Sequence, residues 1–587
     1  MKNKIILIWL FVFAMYSGLS VNAINITRYV AEGGMGDGLT KENPSGNLYA
    51  VLKLSTQVDG LTVYLAPGTY NLPKYDNANA RRKYGCVSIY GGGSTKAENL
   101  EQKSVITGDL NLNGGFVINI DFKGSRVGNQ TVGYLDGAIS GCNVYYSNAS
   151  LIDMTLSDGT TYMLGVNAAT AVFQKYGSAY QRPALVIKDC NFENGMGLAV
   201  SGLSVKIEDC YFENNKSTAL EINNCEGALV KHCTFKDNIV SGAVLVTDLT
   251  DDYAAIFDQC AFCKNATTKS QYSSVLTTRS PVLMRNCLIS KNYSDVNDKN
   301  ANRNHQHKGC IEVTRRQSTF LNCTFYNNAN AVIYYNMEPA DQARIGMQFI
   351  NSVFLGNQSP FYSEKGNKPV MNYCAADFGS DIPELDAERN NIRIDANSAK
   401  MDVSGNDVFL QEGSRLINAG KPMILNDQYR MNRYLLGGTD LGCAEYMGGK
   451  WKKTPDAAVM NIGSRKYVKC CVTYENKTYY GWALEKYIFE DGTISIFGML
   501  YTGDMLAPVK VLDAENAIVY MTFDGKKAAI LYTIDGECWE AQNIMPYTTT
   551  RPTAVKGAKG WLLKAGTPTA TSPAKRKTTT GSSRARR

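Results

Sequence analysis

The residues whose types could do chemistry gather in one stretch of this sequence. His305 and Lys308 are able to take up a proton, Arg279 and Arg315 carry fixed positive charge, and Glu312 lies between them in the chain. A base beside a cation is the pairing needed to draw a proton from carbon next to a carboxylate. The base accepts the proton while the cation holds the charge that develops. A second group, Asn223, Thr247, Thr278, Thr314, Tyr335 and Arg316, has side chains suited to holding a ligand by hydrogen bonds. The chain has only three His, at 232, 305 and 307, and one dense acid cluster, Asp248, Asp251 and Asp252, within a single loop. Cys260-x-x-Cys263 has no second C-x-x-C to complete a tetrahedral site, and strand alternation sends its two side chains to opposite faces. No metal site is expected.

The elements that must position these groups come from a repeat. An apolar residue, a polar residue, Cys, an apolar residue and Asn recur as IKDCNFEN at 187–194, IEDCYFENN at 207–215 and VKHCTFKDN at 230–238. The phrase returns as FDQCAFCKN at 257–265, MRNCLISKN at 284–292, FLNCTFYNN at 320–328 and FINSVFLGN at 349–357, where Ser352 replaces Cys. Apolar and polar residues alternate with a period of two, which is a strand signal. A second alternating run follows each Asn: ALEINN, AVLVTD, SVLTTR, CIEVTR and AVIYYN. Short strands repeating every 20–36 residues without helical periodicity describe a parallel β-helix, with equivalent residues stacked about 4.8 Å apart.

Stacking predicts an inward Cys ladder and an Asn ladder of Asn194, Asn214, Asn238, Asn265, Asn292, Asn328 and Asn357. The Cys residues are read as buried thiols packing as small hydrophobes. Aligning the second runs predicts one column of Glu221, Leu245, Leu276, Glu312 and Ile333, and an outward column of Asn223, Thr247, Thr278, Thr314 and Tyr335. The insertion before Gly309 then brings His305, His307 and Lys308 toward Arg279, Arg315 and Glu312. Several Asn-x-Ser/Thr sequons, including Asn215, Asn265, Asn292 and Asn357, coincide with the Asn turn and are read as turn chemistry.

Composition bounds the rest. Of 587 residues, 44% are hydrophobic and 20% charged, enough for a large core. The formal charge of +7 is concentrated at the ends. Residues 549–587 hold 10 Lys or Arg and no acid, and residues 1–23 hold two Lys and no acid. The remainder has 49 basic and 54 acidic residues, net −5, which argues against a nucleic-acid-binding body. Lys2 and Lys4, the run IILIWLFVFAM and Val21-Asn22-Ala23 read as an export signal over 1–23, too short to span a bilayer. Residues 447–548 alternate between turns as a small, Tyr-rich antiparallel β domain. Its aromatics are expected mainly in its core, and Cys470, Cys471 and Cys538 are open to bridging. Residues 549–587 are expected to be a basic disordered tail.

The repeat resembles that of right-handed parallel β-helix proteins of the pectin-lyase-like superfamily, over roughly residues 24–445 and most strongly over 184–357, within a domain read as 24–446. The Gly-rich opening segment at 29–72 and GGTDLGCAEY at 437–446, a D-x-G-x-x-E closing segment, are similar to those of exported bacterial surface proteins of that group. The resemblance implies the fold, an extracellular or cell-surface location, and either of two activities on polysaccharide. A hydrolase needs paired carboxylates and, in that group, Gly-His-Gly. A lyase needs a base with a cation, supplied by Arg or Lys or by Ca²⁺. Neither group's catalytic motif is present, so no catalytic residue carries over. The expected role is non-catalytic binding or display, with polysaccharide as ligand and no cofactor. The alternative is a lyase acting on a uronate-containing glycan by β-elimination, with Arg279, Arg315, Lys308, His305 and Glu312 as its site.

Overall fold

The structure, a computed structural model, describes residues 24–566. It leaves out 74–83, 94–102, 124–142, 166–184, 295–308, 336–346, 363–368, 379–388 and breaks of one to four residues elsewhere. Two compact units result. The first holds the chain to Lys421 with 427–429 and 438–446; the second holds 422–426, 430–437 and the chain from Met447.

The first unit is a parallel β-solenoid. Its described strands form two parallel sheets of 13 strands and a third of 10, each strand bonding to its equivalents in the coils before and after. One coil runs through Val205–Glu208, Tyr211–Glu213 and Leu220–Asn223, and the next through Ala228–Lys231, Thr234–Lys236 and Val244–Thr247. The pairing is residue for residue, with Ile207 opposite Val230, Phe212 opposite Phe235 and Ile222 opposite Val246. Inward positions are therefore stacked by type. Phe192, Phe212, Phe235 and Phe262 lie ring on ring, with centroids 4.6, 4.6 and 4.8 Å apart, each offset pair adding about 0.5–1.5 kcal/mol beyond area burial.

The corner between the first two sheets is one residue in the left-handed region. Asp209, His232, Gln259, Asn286 and Asn322 take φ of 52°, 54°, 58°, 54° and 51°. Cys follows each one and points inward. Its thiol donates weakly to the carbonyl two residues back, as Cys210 does to Glu208 at 3.1 Å. The backbone N–H of Thr234 reaches the Cys210 carbonyl at 3.0 Å, and Ala261 reaches Cys233 at 2.9 Å, so the Cys positions stack as expected. Ser352 holds the slot with its hydroxyl, and Cys374 extends the series one coil further. No disulfide forms among the described cysteines, those at 470, 471 and 538 included. Burial pushes the Cys210, Cys233 and Cys287 thiols well above their usual range.

Two of the seven expected members of the Asn ladder, Asn194 and Asn214, fall outside it, one residue out of register. Asn194 and Asn214 are left-handed turn residues, with φ of 55° and 53°, sharing that slot with Asp237, Lys264, Lys291 and Asn327. The ladder begins one residue later, at Asn215, and continues through Asn238, Asn265, Asn292, Asn328 and Asn357. Each side-chain amide donates to the next ladder oxygen, at 3.0, 2.9, 3.1, 3.0 and 2.9 Å. It also donates to a carbonyl of the preceding coil, as Asn265 does to Phe235 at 2.9 Å. At 214–215 an adjacent Asn pair hid the shift, because either member can take left-handed angles, whereas Asn194 is followed by Gly195, so that coil has no Asn to offer the ladder. Asn215, Asn265 and Asn292 are at most 2% exposed with their amides committed, which makes these sequons turn chemistry.

From the coil of Cys260 onward the second sheet is buried on both sides. Ala261, Cys263 and Leu288 pack outward against Val403, Val408, Cys443 and Ala444, while Val353, Leu355 and Ala375 meet Ile394, Leu410, Leu416 and Leu441. Cys260 faces the interior and Cys263 this outer layer, as alternation required. The closing motif clasps the layer. Asp440 accepts from the N–H of Asn418 and Tyr446 at 2.7 and 2.6 Å, and Glu445 accepts from the N–H of Asp440 at 2.9 Å. Gly442 has φ of +89°, and a Cβ there would stand 2.5 Å from Thr324 Oγ1, so only glycine lets the strap lie this close.

The second unit is antiparallel, with a six-stranded sheet, a four-stranded sheet and a hairpin. Trp451, Tyr467, Tyr501, Tyr532 and Trp539 are buried in it, as expected of most of its aromatics. The hairpin, Thr553–Gly557 with Gly560–Lys564, lies within the segment read from composition as tail. Leu563 supplies the reason by packing against Ile518, Tyr520 and Leu531.

Candidate functional site

Most of the expected site lies outside the described residues: His305, His307, Lys308, Thr314, Arg315 and Arg316, together with Asp248, Asp251 and Asp252. Tyr335 is described as strand backbone only. Among those described, Arg279 is exposed and Glu312 is 5% exposed.

The expected columns need a correction of one residue. Glu221 and Leu245 align with Thr277, Glu312 and Tyr334, not with Leu276 and Ile333. Asn223 and Thr247 share a position and are partly exposed. Thr278, however, pairs with Val246 and Val313, is fully buried, and donates from its hydroxyl to the Ser280 carbonyl at 2.8 Å. The cause lies in SVLTTR, where apolar Val275 and Leu276 are adjacent and two Thr follow, so alternation permits either register.

A different surface is described over three coils: the outer face of the second sheet just before the covering layer begins. Asn191, Tyr211 and Thr234 form one outward column and Glu193, Glu213 and Lys236 another, all partly exposed. Lys236 Nζ lies 2.6 Å from Glu213 Oε1, and that carboxylate holds the ammonium above its usual range. Along the adjoining corner, His232 Nδ1 is 2.8 Å from Asp209 Oδ1, and Lys188 Nζ is 3.8 Å from Asp209 Oδ2. The next coil begins the covered region, where the Gln259 side chain donates to the Asp427 carbonyl at 2.6 Å. The result is a shelf of outward hydrogen-bonding side chains that runs over these three coils, with Thr155 and Ser157 at the same register positions one coil earlier.

The pairing of His232 with Asp209 was legible in principle. Both occupy the residue before a ladder Cys, in VKHC and IEDC, so the repeat stacks them one coil apart despite a separation of 23 positions in the chain. Among the described residues no group of three or more His, Cys, Asp or Glu is placed to hold a metal ion. No described helix is long and apolar enough to cross a membrane.

No protein-family model and no curated protein matches this chain. One solved structure to which the chain is similar is ORF18 of Geobacillus virus E2. It is 12% identical, with 89% of this chain and 86% of that one covered, at a TM-score of 0.24. Similarity at that level carries no argument about fold or function.

Proposed function

We propose that this protein is an exported, surface-located binding or display solenoid of the pectin-lyase-like kind, right-handed, with polysaccharide as its ligand. The observation that carries the reading is the shelf. Asn191, Tyr211 and Thr234, with Glu193, Glu213 and Lys236, stand in register on the outer, partly exposed face of one sheet. A polymer with hydroxyls on every unit can meet donors and acceptors presented once per coil. Such contacts bind without needing a buried base. The export signal over 1–23 supplies the location in this reading.

The test is retardation of the full-length mature chain in gels containing a panel of polysaccharides. Wild type is expected to be retarded by at least one of them. Tyr211→Ala combined with Thr234→Ala should weaken that affinity about tenfold, equivalent to about 1.4 kcal/mol. Retardation unchanged by the double substitution would remove the shelf from the reading. Release of unsaturated products from a uronate polysaccharide would replace the reading with the lyase alternative.

A further inference from the structure

A second solvent-facing ladder stands on the first sheet, in the opening coils. Tyr29, Tyr64 and Tyr90 occupy one register position on the strands Asn25–Val30, Gly60–Leu65 and Val87–Tyr90. Their rings are stacked with centroids 5.4 and 5.3 Å apart and interplanar angles of 26° and 28°. Two residues back on the same strands, and so on the same face, Thr27, Thr62 and Ser88 form a parallel column. All six residues are at least partly exposed. Inward positions such as Val63, Leu65 and Ile89 are fully buried, so the fold does not need these outer aromatics to fill its core.

The patch carries six hydroxyls and no charged side chain in either column. Rings stacked face to face turn their edges outward, and an aromatic edge is the positive part of the ring quadrupole. Phenol hydroxyls set along such an edge favour ligand oxygens. Burial, helped by the neighbouring phenols, raises the Tyr64 hydroxyl above its usual range, and burial does the same for Tyr90. Phenol hydroxyls both donate and accept hydrogen bonds.

We infer that the Tyr29–Tyr64–Tyr90 ladder, with Thr27, Thr62 and Ser88, binds an uncharged, extended β-(1→4)-linked glycan lying along the solenoid axis, one sugar per coil. The 5.3–5.4 Å spacing of the rings is close to the advance per residue of such a chain. An α-(1→4)-linked chain curls away from a straight ladder, and a uronate polymer finds no cation in these columns. The inference rests on the polysaccharide-binding reading and deepens it by naming a place and a ligand class.

The experiment is affinity electrophoresis of the full-length mature chain in hydroxyethyl cellulose and in xylan, with amylose and polygalacturonate as comparison gels. The expected result is retardation by the β-(1→4) polymers, weakened at least tenfold by Tyr64→Ala and about threefold by Tyr64→Phe, which keeps the ring stack. Circular dichroism and the thermal midpoint check that each variant folds. If Tyr64→Ala does not fold, Tyr64→Phe and Thr62→Val carry the test, and both must weaken retardation. Unchanged retardation in the folded variants, or equal retardation by amylose, overturns the inference. Retardation abolished by Tyr211→Ala but untouched by Tyr64→Ala overturns it and leaves the broader reading standing. Retardation by none of a wider polysaccharide panel overturns both.

Discussion

At the scale of the residue, the ladders show how a repeated side chain becomes structural once coils stack. Asn265 donates from its amide to Asn292 and Phe235, and its oxygen receives from Asn238, all out of water. Asn265→Ala leaves buried partners unsatisfied, each costing about 1–3 kcal/mol. We predict a loss of at least 2 kcal/mol in urea unfolding, on that basis, and a smaller loss for Asn357→Ala at the partly exposed end. The thiols predict a pH dependence. Cys310 and Cys374, ordinarily titrating near 9.0, are pushed up to about 12 by burial. As pH rises the unfolded chain therefore loses these protons first. Their stabilising contribution is whole below pH 9 and drains between 9 and 12, at up to about 1.4 kcal/mol per pH unit for each thiol. The urea midpoint should fall steeply above pH 9, and the fall should be shallower in Cys310→Ala with Cys374→Ala. A midpoint flat to pH 11 would contradict this burial.

At the scale of the element, the covering strap explains both what the sequence made legible and what it hid. Period-two alternation around a stacked Cys placed the strands and the inner faces of the core, because one face of each strand must be apolar. AFC at 261–263 and LIS at 288–290 break the alternation by being buried on both sides, which reflects a partner more than 100 residues away in the chain. No local pattern reports that pairing. The same limit misplaced Thr278 by one register step, whereas the isolated Cys slot before each second strand left no such freedom. D-x-G-x-x-E was visible as a closing segment, and its chemistry is a clasp: Asp440 and Glu445 tie backbone N–H groups and Gly442 admits the close approach. We predict that Gly442→Val loosens the strap without unfolding the coils. Under native conditions Cys263 should then react with a thiol reagent while Cys260, on the inner face, stays protected. Equal reactivity of the two would mean that strap and solenoid unfold together.

At the scale of the whole molecule, a solenoid is nearly one-dimensional, since each coil contacts only its neighbours. Deleting 210–232 joins Asp209 to Cys233 and removes one full coil, so the Phe, Cys and Asn columns all close again in register. That variant should fold with native-like circular dichroism, whereas deleting 210–220 breaks every column and should not. The candidate site was less legible than the fold for a physical reason. Stacking repeats every surface residue type along a face, so a ligand-binding column and a solvated one have the same sequence signature. The outward tyrosines sit in NITRYV, GLTVYL and VSIY, which lie before the Cys repeat begins and show no phrase to align. The measurement that bears most directly on the account is polysaccharide retardation of the full-length mature chain, run beside ultraviolet absorbance of the same polymers for the double bond that β-elimination leaves. Retardation by at least one polysaccharide, with no rise in absorbance, is the expected result. A chain that no polysaccharide retards, or one that generates the double bond, would contradict it.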